Sequence, residues 1–120
     1  MKRDMNLIRS LLLLYEGEEP KPDLSEWTED QQVYHSALLV EAKLVDGSIL
    51  PDHTGYPRGT AVLRLTWDGH EFLDAARNES AWKSIRKKAV TAGVSLTFPV
   101  LKTLLTHYIK EKLGIRDSDA

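Results

Sequence analysis

Apolar residues recur at helical spacing in several segments of the chain and alternate in another. Between Asp4 and Glu16 they form a wide apolar face, which predicts a buried first helix. The same periodicity predicts further helices over 28–45, 66–78, 80–92 and 99–113. Alternation in A-V-L-R-L-T, after a loop rich in glycine and proline, predicts an antiparallel hairpin over 48–66.

Polar residues beside these segments have the chemistry of helix caps. Asp4 can accept hydrogen bonds at the start of the first helix, and Thr28 with Gln31 has the spacing of a capping box. Thr66 opens the third helix within R-L-T-W-D-G-H-E-F-L-D, where the acidic residues suit the first turn. Gly93 is expected to end the fourth helix.

The order of the elements is that of a winged helix-turn-helix-like domain with a β-hairpin wing and extra C-terminal helices. We therefore predict a mostly helical α+β fold in a single domain over 1–120. The core is expected over 1–92, with the wing at 48–66 and a C-terminal helical segment at 93–114. Because the helix over 99–113 is more apolar than a terminal helix on a small domain needs, it is a candidate homodimer contact.

Three blocks of sequence carry a family resemblance. They are M-K-R-D-M-N-L-I-R at the start, V-Y-H-S-A-L-L-V-E-A-K-L-V in the middle and R-L-T-W-D-G-H-E-F-L-D after the predicted hairpin. On these blocks the chain resembles an uncharacterised bacterial and phage family, a domain of unknown function. The resemblance implies kinship with small winged-helix-like proteins of phages and mobile elements, and it implies no particular chemistry. The second and third blocks also resemble, more loosely, the recognition helix and the wing-to-helix step of bacterial winged-helix regulators.

Composition narrows the class of protein further. The 120 residues include no cysteine, which excludes disulfides, thiolate metal sites and thiol nucleophiles and favours a reducing compartment. The longest apolar run near the start, Leu11 to Leu14, is too short to span a bilayer. We therefore expect a cytoplasmic protein with no membrane association.

Charge is divided unevenly along a chain whose net charge is -2. Residues 1–60 hold 6 basic and 11 acidic side chains, a net charge of -5, whereas residues 61–120 hold 10 and 7, a net charge of +3. An anionic partner should therefore prefer the second half of the chain.

The sequence offers little that suggests catalysis. It has no Gly-rich phosphate loop and no H-E-x-x-H or G-x-S-x-G motif, so we expect no enzymatic activity and no cofactor. His70 and Asp74, four residues apart on the predicted third helix, could share a hydrogen bond or hold a divalent metal. Because tight metal sites need three or four ligands, we expect no metal site and interpret this region as a helix start.

The first functional hypothesis is a DNA-binding regulator. The helix over 28–45 would enter the major groove, with base contacts from polar side chains and phosphate or minor-groove contacts from the hairpin. Acidic residues on that helix oppose this hypothesis, so a basic fourth helix would have to supply much of the attraction, although its lysines also suit an ordinary solvated helix face. The expected contacts are Gln31, Gln32, Tyr34, His35, Ser36 and Lys43 on the second helix, Arg58 and Arg64 on the hairpin, and Lys83, Arg86, Lys87 and Lys88 on the fourth helix.

The alternative is a protein-interaction module, such as a phage-encoded inhibitor of a host or defence protein or an antitoxin-like partner. The acidic first half could meet the basic face of a nucleic-acid-binding protein. The expected partner contacts are Glu29, Asp30, Glu41 and Tyr56. Trp27, Trp67 and Trp82 could act as contact anchors, but each adjoins an apolar pattern, so we expect them in the core or at its edge.

Overall fold

The computed structural model of the chain describes residues 1–115, and within them the fold is mostly helical α+β, as the sequence predicts. Five helices accompany one antiparallel two-stranded sheet in these residues. In chain order the elements are α1 (Met5–Glu16), α2 (Glu29–Glu41), β1 (Val45–Pro51), β2 (Pro57–Leu65), α3 (Trp67–Ala76), α4 (Glu79–Ala92) and α5 (Phe98–Lys112). They fall into two compact units, Met1–Leu73 and Asp74–Ala120, and the boundary between the units lies within α3.

Most helices begin and end at the residues that the sequence predicts. The Asp4 carboxylate accepts hydrogen bonds from the backbone N–H groups of the first turn of α1, and Thr28 with Gln31 forms a complete capping box on α2. At the start of α4, however, the cap is Asn78, whose side chain accepts from the Ala81 N–H, so this helix begins one residue earlier than expected. Gly93 ends α4 in the left-handed conformation, with φ 69°.

The end of α2 differs from the prediction of a helix reaching residue 45. The helix ends at Glu41, and Lys43 adopts a left-handed conformation with φ 59°. The Leu44 N–H then bonds back to the Leu39 carbonyl at 3.0 Å, and β1 begins at Val45. Leu44 and Val45 are buried as expected, but a tight turn and a strand place them there instead of a helical face.

The first unit is built from α1 and α2, which pack on each other and on β2, with α2 also packed on β1. Leucines of α1, including Leu7, Leu11 and Leu12, are buried in it, and removal of their apolar surface from water is the main stabilising contribution. A series of hydrogen-bonded hydroxyl groups, the hydroxyl chain, joins α1, α2 and β2. The Tyr15 and Ser36 oxygens lie 2.7 Å apart, and the Ser36 and Thr60 oxygens lie 2.6 Å apart.

The predicted hairpin is present, and its strands are longer than the two short runs that the sequence indicated. The strands pair in antiparallel register from Val45 opposite Leu65 to Pro51 opposite Pro57, with irregularities near both ends. Asp46 and Gly47, which directly follow the helix predicted over 28–45, lie in β1. A Cβ atom on Gly47 would collide with the Ala61 carbonyl oxygen, so this position requires glycine.

The start of α3 is held against the turn that follows α2. The Thr66 hydroxyl accepts a hydrogen bond from the Gly69 N–H at 3.1 Å, which confirms its predicted capping role, and donates one to the Lys43 carbonyl at 2.6 Å. The backbone N–H of Thr66 also bonds to the Leu44 carbonyl at 3.0 Å. Gly69 lies so close to Leu44 that a Cβ atom there would collide with the Leu44 carbonyl oxygen. This junction gives both Thr66 and Gly69 a structural role.

The second unit contains α4 and α5, which pack on each other. Trp82, Ile85 and Ala89 are buried on α4, and Leu101 and Leu105 are buried on α5. These two leucines belong to the apolar set that suggested a homodimer, so part of that set is already covered within the chain. Val100 and Leu104 on α5 remain exposed, and the homodimer remains a prediction.

Candidate binding groove beside the second helix

Two glutamines expected to contact DNA are used to organise the start of α2. The Gln31 side-chain oxygen accepts from the Thr28 N–H at 2.8 Å as part of the capping box. The Gln32 amide donates to the carbonyl oxygens of Leu24 and Trp27, at 3.2 and 3.1 Å. These bonds tie the connection before α2 to the helix itself. A base contact that uses both the oxygen and the nitrogen of either amide would have to break these bonds.

His35 and Ser36, two of the predicted base contacts, are buried in the structure. His35 is 1% exposed, and its Nε2 atom accepts from the Asp4 N–H at 2.8 Å while Nδ1 faces the Gln31 carbonyl at 2.8 Å. The ring is therefore a neutral imidazole with its proton on Nδ1. Ser36 belongs to the hydroxyl chain between α1 and β2. Helical spacing does not distinguish these buried polar residues from exposed ones on neighbouring positions.

The outward face of α2 forms one wall of a groove, and the tip of the hairpin forms the other. The groove has a volume of about 390 Å³, and Tyr34, Ala37, Leu38 and Glu41 line it from α2. Their spacing of three, four and seven residues places them along one helix face. Asp30, one turn before Tyr34, extends the same face and is exposed. From the hairpin come Thr54, Gly55, Tyr56 and Pro57.

Two tyrosines face each other across this groove. The ring centroids of Tyr34 and Tyr56 lie 6.3 Å apart with an interplanar angle of 24°, and Tyr34 also meets the buried His35 ring edge to face at 5.7 Å. Tyr56 is 49% exposed, so much of its ring remains open to a ligand. Tyr56 was predicted as a partner contact and Tyr34 as a base contact, and the fold brings them together.

The tip of the hairpin is ordered around the carboxylate of Asp52. One oxygen of this carboxylate accepts from the Thr54 N–H and the Thr54 hydroxyl, both at 2.7 Å, and from the Tyr56 N–H at 3.1 Å. The hydrogen bonds from the Thr54 side chain and backbone lower the pKa of Asp52. Gly55 completes the turn with φ 91°. An ionised Asp52 therefore holds Tyr56 in position beside α2.

The basic residues predicted on the hairpin and after α2 are exposed but do not gather into one patch with the groove. Arg64 lies 3.6 Å from the Asp46 carboxylate and donates to the Leu65 carbonyl at 3.1 Å. Arg58 is exposed on β2, and Lys43 occupies the left-handed turn position. Neither Arg58 nor Lys43 is among the residues that line the groove.

In the second unit, the predicted basic residues of α4 lie on the surface. Lys83, Lys87 and Lys88 are exposed, and Arg86 is half-buried. The Lys83 ammonium group lies 3.9 Å from the Glu79 carboxylate one turn earlier. Between α4 and α5 is a mostly apolar cavity of about 290 Å³, to which Lys88 and His107 contribute polar edges.

Large apolar side chains that the sequence analysis did not place on the surface are also exposed. Trp67, expected in the core or at its edge, is 77% exposed at the first position of α3, and Leu63 on β2 is 80% exposed. Trp82 is buried as expected, and Trp27 is half-buried with its Nε1 atom donating to Asp4 at 3.0 Å. Alternation alone would place Leu63 on the same face as the buried Leu65. The register shift between Asp46 and Gly47 leaves Leu63 out of the strand pairing, as in a β-bulge.

His70 and Asp74, the pair that the sequence analysis considered for a metal before expecting no metal site, do not belong to a larger group of ligands in the described residues. Asp74 forms an ion pair with Arg77 at 3.0 Å. Within the part of the chain that the structure describes, His, Asp and Glu side chains do not gather in groups of three that could hold a metal ion. In residues 1–115, moreover, the helices lack the length and apolar character needed to traverse a bilayer.

These features define the class of this protein as a small, mostly helical α+β protein with a single β-hairpin between its second and third helices. A family model described as "Hypothetical protein (DUF2513)" matches residues 2–95, and the chain belongs to this family. An uncharacterized protein of Haemophilus influenzae is 31% identical over 121 residues, covering 95% of this chain and 100% of that protein. No solved structure matches the chain. The resemblance drawn from the three sequence blocks is thereby confirmed as membership of an uncharacterised family.

Proposed function

We propose that this chain is a non-catalytic protein-interaction module that binds its partner through the groove between α2 and the hairpin tip. One observation carries the proposal. The polar side chains of α2 that were expected to contact DNA, including Gln32, His35 and Ser36, are bonded inside the fold. What α2 offers to a ligand is Tyr34 with the carboxylates of Asp30 and Glu41 on the same face.

Charge supports a protein partner over DNA for this surface. The first unit holds 7 basic and 13 acidic side chains, a net charge of -6. DNA phosphates would be repelled by such a unit, since nonspecific DNA affinity comes mainly from neutralising phosphate charge. A basic protein surface would instead be attracted and oriented.

The order of elements in the first unit supports a winged-helix-like scaffold. In this interpretation α2 has the position of the recognition helix, and the hairpin over 45–65 is the wing. The connection over 17–28, fastened to α2 by Gln32, takes the place of the usual intervening helix. On this scaffold the acidic α2 binds the basic face of a nucleic-acid-binding protein instead of DNA. The corresponding role is that of an inhibitor or antitoxin-like partner, of the phage or mobile-element type.

Co-purification from a bacterial lysate, followed by binding of the purified partner, tests this function. The key variant neutralises the groove face with Asp30→Asn and Glu41→Gln. A matched control removes the same charge from exposed acids that do not line the groove, Glu18→Gln and Glu71→Gln. We expect a stoichiometric partner whose binding weakens with salt and is lost in the groove variant only.

Two results would contradict the proposal. If the natural chain recovers no stoichiometric partner at either low or high salt, a protein-interaction role loses its support. If the control variant loses the partner as completely as the groove variant does, binding depends on general acidity and not on the groove.

DNA binding is retained as a second candidate because of one observation, the exposed lysines of α4. Lys83 and Lys87 are four residues apart on this helix, with Lys88 and Arg86 beside them. The second unit holds 9 basic and 5 acidic side chains, a net charge of +4. Such a helix can contact phosphates without reading bases.

Binding to mixed-sequence duplex DNA at low and moderate salt tests this candidate. The variant has Lys83, Lys87 and Lys88 changed to Gln, and Lys102, Lys110 and Lys112 changed to Gln on α5 provide the charge-matched control. Salt-sensitive binding that only the α4 variant loses would support DNA contact through α4. Absence of binding by the natural chain at low salt would exclude this candidate.

A further inference from the structure

We propose that the groove between α2 and the hairpin tip binds an arginine side chain of the partner protein. This inference rests on the proposed function, because it names the chemical group by which the partner is recognised. It is carried by three kinds of surface that meet in one cavity: aromatic faces, an apolar floor and a carboxylate at the edge. Each of the three suits a different part of an arginine side chain.

The aromatic faces suit the guanidinium group. Tyr56 is half-exposed and inclined at 24° to Tyr34, so a planar cation can lie on its open face. Guanidinium groups stack on aromatic rings through attraction to the negative ring face and through contact between planar surfaces. A lysine ammonium group, being compact and strongly hydrated, would gain less from the same contact.

The apolar floor suits the methylene groups. Ala37 and Leu38 from α2 and Pro57 from β2 line the groove together with the two tyrosines and the acid. Long basic side chains place their methylene groups along apolar surface while the charged end remains near water or a counter-ion. The volume of about 390 Å³ leaves room for the side chain together with part of its own backbone.

The carboxylate of Glu41 suits the positive charge of the guanidinium group. Glu41 lies seven residues after Tyr34 on the same face of α2, at the edge of the groove, and it is exposed. An arginine can donate two parallel hydrogen bonds to one carboxylate, a geometry that lysine cannot reproduce. Asp30 at the other end of the face adds attraction for a neighbouring basic residue of the same segment.

The hairpin tip gives the site its shape before the partner arrives. The Asp52 carboxylate fixes Thr54 and Tyr56 through three hydrogen bonds, and the Asp52 N–H bonds to the Tyr56 carbonyl at 2.7 Å. Tyr56 is therefore held in place beside α2 by the backbone on both sides of the turn. A preformed wall reduces the entropy that binding would otherwise lose.

NMR titration of the labelled chain with short capped peptides tests the proposal. The probe is a Gly-Gly-Arg-Gly-Gly peptide, compared with the same peptide carrying lysine or the neutral arginine isostere citrulline. We expect the amide signals of Gly55, Tyr56 and Glu41 to shift with the arginine peptide, less with lysine and not with citrulline. Tyr56→Leu and Glu41→Gln should each weaken binding about fivefold, which corresponds to about 1 kcal/mol. Glu18→Gln and Glu71→Gln, at exposed acids that do not line the groove, should leave it unchanged.

The possible results separate this inference from the proposed function. Equal shifts with arginine and citrulline, or no shifts with any peptide, would overturn the arginine site. Equal binding of lysine and arginine would show simple charge attraction and would also overturn it. If the partner from the lysate still depends on Asp30 and Glu41 but is indifferent to Tyr56→Leu, the interaction function stands and the arginine site fails. If no partner is recovered but the arginine peptide binds selectively, the site stands without that function.

Discussion

Two polar residues of α2, His35 and Ser36, form hydrogen bonds that stabilise the fold. His35 joins the start of α1 to the first turn of α2 through its two ring nitrogens, and Ser36 joins α1 to β2. Buried polar groups are costly unless they are hydrogen-bonded, and these are fully bonded. Their position in a predicted recognition helix made them candidate DNA contacts. Their tertiary partners, 21 to 31 residues away, give them another role.

Thr66→Ala should destabilise the chain without affecting the groove. The substitution removes the cap on α3 and the hydrogen bond to Lys43, and loss of such a cap costs about 1 kcal/mol. The measurement is the midpoint of urea unfolding. Thr66→Ser retains the hydroxyl group and is the control. If serine were as harmful as alanine, the methyl group and not the hydroxyl would be responsible. Loss of partner binding at unchanged stability would instead assign Thr66 a functional role.

Gly69→Ala should be destabilising even though alanine ordinarily favours a helix interior over glycine by about 1 kcal/mol. The new Cβ would collide with the Leu44 carbonyl oxygen and lie 3.0 Å from its carbon, and backbone at that junction can move little. We expect a loss of about 1 to 3 kcal/mol in the free energy of unfolding. Gly59→Ala is the control, because its Cβ would meet only the Leu50 side chain at 3.7 Å. An increase in stability for Gly69→Ala would contradict the close approach.

At the scale of elements, α2 and the hairpin each contribute four residues to the candidate site. The strands of the hairpin pair over most of their length, yet the part that meets the ligand is the turn between them. That turn carries Tyr56 and depends on one carboxylate, Asp52, for its local order. The groove is therefore a property of α2 and the hairpin together, and neither element alone would form it.

Acid should loosen the hairpin tip. The hydrogen bonds from Thr54 depress the pKa of Asp52 below the ordinary value of 3.8, so their stabilisation is present above pH 3.8 and is lost as the pH falls through the lower pKa of the folded chain. We expect the amide signals of Thr54 and Tyr56 to titrate together in that range. In Asp52→Ala they should lose the titration and resemble a disordered turn at neutral pH. A titration midpoint at or above 3.8 in the natural chain would contradict the proposed bonding.

At the scale of the whole molecule, charge and exposed apolar surface are the two features that bear on assembly. The two units carry net charges of opposite sign, -6 and +4. Exposed apolar side chains include Val90 and Val94 at and after the end of α4 and Val100 and Leu104 on α5. Apolar patches of this kind commonly mark surfaces that associate.

We expect these apolar side chains to support a homodimer through α5. Light scattering at micromolar concentration should give a mass near twice the 13.6 kDa of one chain. Leu104→Lys should restore the mass of a single chain, because it places a charge in the contact, while the exposed Thr103→Lys provides a control on the neighbouring position. A mass of 13.6 kDa for the natural chain would remove the dimer.

The sequence by itself determined where most helices begin and end, because caps are local interactions. Asp4, Thr28 and Gln31 bond to backbone groups within three residues, and Gly17 and Gly93 adopt left-handed conformations that favour glycine. Alternation and turn residues likewise placed the hairpin. The three family blocks, which lie between residues 1 and 74, identified its kinship without a structure.

Only the tertiary structure decided where α2 ends and which of its side chains face a ligand. Leu44 and Val45 fit the helical pattern, but the left-handed Lys43 and the bonds from Thr66 turn the chain into β1. The fold likewise brings together Tyr34 and Tyr56, which are 22 residues apart in the sequence, at the groove. Local spacing records burial and capping. It does not indicate which distant group accepts or donates a hydrogen bond, or which distant residue lines the groove, because both depend on packing between elements.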